Sequence, residues 1–192
     1  KNQIESKEIK NGVIVIVEAD FSPNSVALLL ALIAQDCIFV PITKSVASKT
    51  IKFIEIAQGQ VLFKIDENDN VSISNLPHKF KHEIYQKLRE SEHPGLVLFS
   101  SGSTGKSKAS VHDITGILNK FRTRRHTLRT ITFLLFDHIG GFNTMLYVLS
   151  NAGLIVTVED RNPDSVLKAV EKYKVELLPT SPTFINLILL SK

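Results

Sequence analysis

The segment with the most evident capacity for chemistry is SSGSTGKSK at residues 100–108, which combines several hydroxyl side chains, two glycines and two lysines. Glycines allow the backbone to approach a ligand closely, hydroxyl groups donate hydrogen bonds, and lysines add positive charge. Together these groups suit a polyphosphate. A flexible surface loop would explain the composition but not its position directly after the apolar run at 96–99. Residues 100–108 are called the phosphate loop below.

Two classes of phosphate-binding enzyme fit parts of this loop. In a P-loop nucleotidase, Gly105, Lys106 and Ser107 would end the signature, and residues 131–137 resemble an apolar strand that ends in a magnesium-binding aspartate. That signature also requires a glycine five residues before Gly105. Ser100 stands there instead, and its Cβ would crowd a loop that wraps phosphates.

The whole loop resembles that of the adenylate-forming (AMP-binding) enzymes, which include acyl-CoA synthetases, luciferases and the adenylation domains of peptide synthetases. Ser107 replaces the usual proline and Ala109 the usual glycine, but neither change removes a group that would contact phosphate. The resemblance implies that Lys108, rather than Lys106, supplies the main positive charge. The positions that match, and that it implies bind the phosphates of ATP, are Ser100, Ser101, Gly102, Ser103, Thr104, Gly105 and Lys108.

Other segments resemble the same family in the same order. Residues 26–42 resemble its helix and strand that end in Val-Pro, and residues 170–189 resemble its helix, strand and Pro-Thr turn. FDHIGGFNT at 136–144 resembles the segment that lines the acyl pocket. This resemblance implies that His138 lies near the acyl group, and that Gly140 and Gly141 let the backbone pass close to substrate. Asp137 replaces an aromatic residue and is interpreted as a turn former.

The remaining ionisable residues indicate no second site. His78, His82 and His93 have no metal-ligand spacing and are predicted at the surface, while His112 is predicted to be structural. No metal-binding residues are predicted. A basic run is interpreted as a solvated helix face and turn, because no aromatic platform or nucleic-acid motif accompanies it. Nucleic-acid binding is therefore not predicted. The run consists of Lys120, Arg122, Arg124, Arg125 and Arg129.

Short apolar runs alternate with segments of helical period, which predicts an α/β fold with a largely parallel sheet and helices on both faces. The predicted strands are 13–17, 37–42, 61–65, 96–99, 131–136, 154–158 and 175–178. The predicted helices are 25–34, 48–57, 78–90, 142–150, 163–172 and 181–190. Asn162-Pro163 and Ser181-Pro182 are helix start signals, and residues 66–70 form a turn. Ligand sites in such sheets lie at the carboxyl ends of the strands.

Composition is that of a globular chain, with 192 residues, 43% hydrophobic residues, 22% charged residues and a net charge of +4. The longest apolar stretch, 26–34, is shorter than the ~20 residues of a membrane span, so none is predicted. The single cysteine allows no internal disulfide. These features favour a reducing, cytoplasmic setting.

The family resemblance implies ATP- and Mg²⁺-dependent conversion of a carboxylic acid to an acyl adenylate, with release of pyrophosphate. A thiol of coenzyme A or of an acyl-carrier protein would then accept the acyl group. The family's adenine and ribose motifs and the lysine of its C-terminal domain are not located. Residues 1–192 are therefore predicted to be a single, incomplete N-terminal AMP-binding domain that is inactive in isolation. The alternatives are a P-loop nucleotidase or a non-catalytic nucleotide-binding or scaffolding fragment. The sequence does not identify the acid or the acceptor.

Overall fold

The computed structural model describes residues 9–79, 81–101 and 107–191, which form two compact units that divide after Asn119. The strands are β1 Ile14–Glu18, β2 Ile38–Ile42, β3 Val61–Ile65, β4 Val71–Asn75, β5 Gly95–Ser101, β6 Ser107–Asp113, β7 Arg129–Ile131 and β8 Leu154–Val156. The α-helices are α1 Pro23–Ala34, α2 Thr50–Ala57, α3 Glu83–Glu90, α4 Ile114–Leu118, α5 Ile139–Ser150, α6 Pro163–Tyr173 and α7 Pro182–Leu190. Short 3-10 helices occupy Lys44–Lys49 and Asn119–Phe121.

The first unit is built on one sheet with the strand order β4-β3-β1-β2-β5-β6. Its four inner strands are parallel, and β4 and β6 pair antiparallel at the two edges. Consecutive residues of a strand point to opposite faces, and Ile14, Val15, Ile16 and Val17 are all fully buried. Both faces of the sheet are therefore covered, with α2 and α3 packed on the side of Ile14 and Ile16. The predicted α/β class is confirmed. The sheet is largely parallel, as predicted, but its two edge strands are antiparallel.

The second unit contains the parallel pair β7 and β8. Its core joins Ile131 and Val156 of these strands to Val166 of α6 and Phe184 of α7. α6 begins at the predicted Pro163, and α7 begins at Pro182, one residue after its predicted start. The Asn162 side chain accepts a hydrogen bond from the Ser165 backbone at the start of α6, and Ser181 caps α7 in the same way.

Three predicted elements are corrected. The strand predicted at 131–136 ends at Ile131, and the Thr132 amide makes one further bond, to the Val156 carbonyl. The chain then leaves the sheet, because the backbone of residues 134–135 packs against α5. The strand predicted at 175–178 is reduced to one bridge between Leu177 and Thr130. The helix predicted at 78–90 begins at Glu83, since His82 caps it by accepting a bond from the Ile84 amide.

Two strands and a helix were not predicted. β4 completes a hairpin with β3, and the turn predicted at 66–70 joins them, with the Asp66 carboxylate accepting bonds from the Asn68 and Asn70 amides. β6 begins at Ser107, within the last residues of the phosphate loop, and α4 follows β6 directly. Within the described residues, the helices are too short or too polar to cross a bilayer.

Candidate nucleotide-binding site

The phosphate loop joins the end of β5 to the start of β6. These strands are antiparallel, with Ser100 paired with Lys108 and Ser101 paired with Ser107. The loop therefore extends from a hairpin stem that the structure defines on both sides. Five of its residues lie outside the described part of the chain, namely Gly102, Ser103, Thr104, Gly105 and Lys106.

The stem is held in place from its β5 side. Val97 is fully buried in the core against α2 and α3. Phe99, the residue before Ser100, stacks on Phe53 of α2 with 3.8 Å between ring centroids and 4° between the ring planes. Such aromatic contacts stabilise beyond the area they bury. The strand that leads into the phosphate loop is therefore anchored one residue before the loop begins.

Ser100 and Lys108 are both exposed at the mouth of the hairpin. Directly paired residues of an antiparallel ladder project on the same face, so the Ser100 and Lys108 side chains leave the hairpin on one face. Ser110 and His112 continue this face along β6, and the Ser110 Oγ lies 3.0 Å from His112 Nε2. His112 thus has a hydrogen-bond partner on its own strand, and its structural role stays a prediction. Of the two lysines in the loop, Lys108 lies within the described residues and Lys106 lies outside them.

The element after the loop distinguishes the two phosphate-binding classes. A P-loop is followed by a helix whose N-terminus faces the phosphates. Here Ser107, the last residue of the candidate signature, begins strand β6. A strand in place of this helix argues against the P-loop nucleotidase.

The base of the hairpin contains a hydrogen-bonded pair, His93 and Asp113, that sequence reasoning missed. His93 Nδ1 lies 2.8 Å from Asp113 Oδ2, and Asp113 Oδ1 accepts a 2.8 Å bond from the Thr115 amide at the start of α4. Burial raises the pKa of Asp113, but the bonds from His93 and Thr115 outweigh it and hold the pKa below its ordinary value. The sequence signal that could have indicated the start of α4 is Asp113 itself, because aspartate directly before an apolar segment is a favoured helix cap.

The predicted acyl-contact residues belong to the second unit, at the end of the segment that follows β7. His138 is the residue before α5, and its side chain is 68% exposed. Its Nε2 atom lies 3.8 Å from Oδ1 of Asp137, whose side chain is 6% exposed. A buried carboxylate beside a helix N-terminus is electrostatically favourable, and here it lies next to an accessible imidazole. This pair can orient a polar substrate group.

Gly141 has a packing requirement that is independent of any substrate. A Cβ atom at this position would lie 1.9 Å from the carbonyl oxygen of Leu135 and 2.5 Å from that of Leu134. At Gly140, which is exposed, a Cβ would meet only the end of the Leu134 side chain, at 3.3 Å. The first turn of α5 therefore lies directly on the backbone of the preceding segment. Contact of either glycine with substrate stays a prediction.

Comparison with known proteins identifies relatives of this arrangement. The family model of AMP-binding enzymes matches residues 2–192. The 4-coumarate--CoA ligase-like 9 protein of Arabidopsis thaliana is 27% identical over 157 residues, covering 76% of this chain and 28% of that protein. Bacitracin synthase 2 of Bacillus licheniformis is 22% identical over 203 residues, covering 95% of this chain and 8% of that protein. The chain thus spans less than a third of either relative.

A solved structure shares the fold. The o-succinylbenzoate CoA synthetase of Bacillus subtilis, in complex with its acyl-adenylate intermediate, superposes with a TM-score of 0.73 and 12% sequence identity. The match covers 99% of this chain and 55% of that one. The order of elements described above is therefore the order found in part of an adenylate-forming enzyme.

Proposed function

Because this chain belongs to the AMP-binding enzyme family, we propose that the protein containing it activates a carboxylic acid with ATP to form an acyl adenylate. The observation that carries this proposal is the hairpin of β5 and β6. It presents Lys108 and Ser100 on one face at the mouth of a loop rich in glycine and hydroxyl groups. The same loop is followed by a strand where a nucleotidase would have a helix.

In the proposed reaction, a carboxylate oxygen of the acid attacks the α-phosphorus of ATP, and the bond to the β-phosphate oxygen breaks. Pyrophosphate leaves and the acyl adenylate remains. Ser100, Ser101, Gly102, Ser103, Thr104, Gly105 and Lys108 are proposed to bind the β and γ phosphates. Their amides, hydroxyls and ammonium group would stabilise the charge that develops as pyrophosphate departs. Mg²⁺ would travel with the phosphates, since it prefers phosphate and water oxygens.

The residues of the second unit are proposed to serve the acid. His138 would contact the acyl group or the adenylate through its exposed imidazole, with the Asp137 carboxylate 3.8 Å away. Gly140 would leave room for substrate at the exposed first turn of α5, and Gly141 would hold that turn against the preceding backbone.

The acceptor in the second step is proposed to be a thiol. The curated relatives include a protein named as a CoA ligase-like enzyme and one named as a bacitracin synthase. Coenzyme A and the thiol of an acyl-carrier protein are therefore the two acceptors to test. In both cases the thiolate would attack the acyl carbon and release AMP.

The proposal is tested with the whole protein, ATP, Mg²⁺ and labelled pyrophosphate, together with a panel of fatty, aromatic and amino acids. We expect label to enter ATP only when a suitable acid is present. The 192-residue chain by itself should bind ATP weakly without exchange, because orienting the reactants can be worth ~7–11 kcal/mol of the barrier. Acid-independent ATP hydrolysis would instead indicate a nucleotidase. Binding without exchange by the whole protein would indicate a non-catalytic role.

A further inference from the structure

A short segment between α4 and β7 concentrates positive charge on the surface of the second unit. Residues 120–126, called the basic loop here, read KFRTRRH. Residues 114–136 around it contain no aspartate or glutamate. The cationic side chains of the loop all belong to exposed residues, namely Lys120, Arg122, Arg124 and Arg125.

These charges are not used inside the described parts of the protein. Arg129, just beyond the loop, pairs with Glu176 at 3.5 Å and donates to the Lys174 carbonyl at 2.8 Å. By contrast, the ion pairs found in the described parts of the chain include none from the basic loop. Like charges that repel one another without internal partners are available to an external anion.

The backbone of the segment is fixed by one buried residue. Asn151 is 2% exposed, and its Oδ1 accepts a bond from the Arg125 amide. Its carbonyl oxygen accepts a 2.8 Å bond from Thr127 Oγ1, and its own Nδ2 donates to the Tyr147 carbonyl at 2.8 Å. The arginines therefore project from an anchored loop, which lowers the entropy lost when they bind.

The position of the basic loop separates it from the predicted acyl contacts. The loop precedes β7, and Asn151 precedes β8, so both lie toward the amino ends of these parallel strands. His138 follows β7, toward the carboxyl ends. Leu154, the first residue of β8, is 53% exposed, and its amide donates to the Leu128 carbonyl just after the loop. An exposed apolar side chain therefore lies at the same end as the positive charge.

We propose that the basic loop docks the protein peripherally on an anionic lipid surface. Such surfaces attract clustered Lys and Arg without requiring shape complementarity, and a neighbouring apolar side chain can enter the headgroup region. A nucleic acid is less suited, because the loop has no exposed Phe, Tyr or Trp on which bases could stack. A folded acidic protein would bury roughly 800 Å² on each side, which a seven-residue loop does not provide.

The test uses the 192-residue chain and sedimentation with two kinds of vesicle, phosphatidylcholine alone and phosphatidylcholine mixed with phosphatidylserine. The test variant carries Arg122→Gln, Arg124→Gln and Arg125→Gln. The matched control carries Lys168→Gln, Lys172→Gln and Lys174→Gln, which remove the same charge from exposed positions of the same unit. A variant with Lys at the three arginine positions keeps the charge, and circular dichroism monitors folding of each.

The wild type should bind only the phosphatidylserine vesicles and should be released by high salt. Loss of three arginines should weaken binding roughly 100-fold, at about fivefold for each cation. The lysine control and the Arg→Lys variant should bind almost as well as the wild type. Equal binding to both vesicles, no binding by the wild type, or equal weakening in the lysine control would overturn the proposal. So would loop-dependent binding of a single-stranded oligonucleotide without vesicle binding.

Discussion

At the scale of single residues, the contact between α5 and the segment before it depends on the absence of one side chain. The Leu135 carbonyl oxygen occupies the position where a Cβ of Gly141 would be. Backbone cannot move aside as a flexible side chain can, so the glycine is a packing requirement. Its neighbour Gly140 has only a side-chain end nearby. Two adjacent glycines therefore have different structural roles.

Gly141→Ala should destabilise the chain, because the added methyl group forces α5 away from residues 134–135. We expect a loss of roughly 3 kcal/mol in the free energy of unfolding. Gly140→Ala is the matched control and should change stability by less than about 1 kcal/mol, with replacement of a helical glycine favouring stability. Urea denaturation followed by circular dichroism measures both. Similar losses for the two variants would contradict the packing described here.

At the scale of elements, Asp113 connects the base of the β5-β6 hairpin to α4. It caps α4 through the Thr115 amide and pairs with His93, which lies just before β5. Its lowered pKa reports these bonds, because they favour the charged form. The pair is partly exposed, so its contribution to stability is small.

The pH dependence of this pair gives a test. The pKa of Asp113 is lower in the folded chain than its ordinary value of 3.8, so the stabilisation is present above that value and is lost as pH falls through the folded pKa. Asp113→Asn keeps a good helix cap but removes the charge. It should lower stability by a few tenths of a kcal/mol near about pH 6, and this loss should shrink as pH falls below 3.8 and through the folded pKa.

Asp113→Ala is the companion variant, since it removes the cap as well. Asp113→Ala should lower the free energy of unfolding by about 1 kcal/mol relative to the wild type. Part of this difference should persist at acidic pH, because the protonated carboxyl group of the wild type still accepts a hydrogen bond from the Thr115 amide. Denaturation midpoints across the pH range separate the two effects. A constant difference between Asp113→Asn and the wild type at every pH would show that the charge of Asp113 contributes nothing to stability.

The elements that the sequence predicted well are those with apolar runs or capping signals. β3 at Val61–Ile65 and the start of α6 at Pro163 match the prediction, because a buried strand and an Asn-Pro start are local signals. β6 at Ser107–Asp113 is polar throughout most of its length, since it is an edge strand that buries little. The apolar residues 133–136 lie outside β7, since Phe133 packs on Phe184 of α7 and the backbone of residues 134–135 lies against Gly141 of α5.

The candidate site was predictable only where its signal is local. The phosphate loop was found from its composition and its place after an apolar run, and the structure shows the hairpin that carries it. The stack of Phe53 on Phe99 joins residues far apart in sequence, and neither ring has a local pattern that predicts it. The His93–Asp113 pair was missed for the same reason. Sequence thus indicates the chemical groups, while the supports that fix them depend on tertiary structure.

At the scale of the whole molecule, the chain belongs to the AMP-binding enzyme family and spans 28% of the Arabidopsis relative and 55% of the superposed Bacillus chain. Each of the two units carries residues with proposed roles. The phosphate loop belongs to the first, and His138 with its glycines belongs to the second. Catalysis is therefore proposed for the whole protein, and measurements of it require the whole protein.

The most direct measurement compares Lys108→Ala with Lys106→Ala in the whole protein, through the rate of acid-dependent pyrophosphate exchange. If the loop is the phosphate loop of an AMP-binding enzyme, Lys108→Ala should slow exchange roughly 100-fold, because it removes a charged contact to the departing phosphates. Lys106→Ala should slow it by less than about tenfold. The matched lysines control for the loss of charge. A larger effect of Lys106→Ala would contradict the account and restore the P-loop nucleotidase.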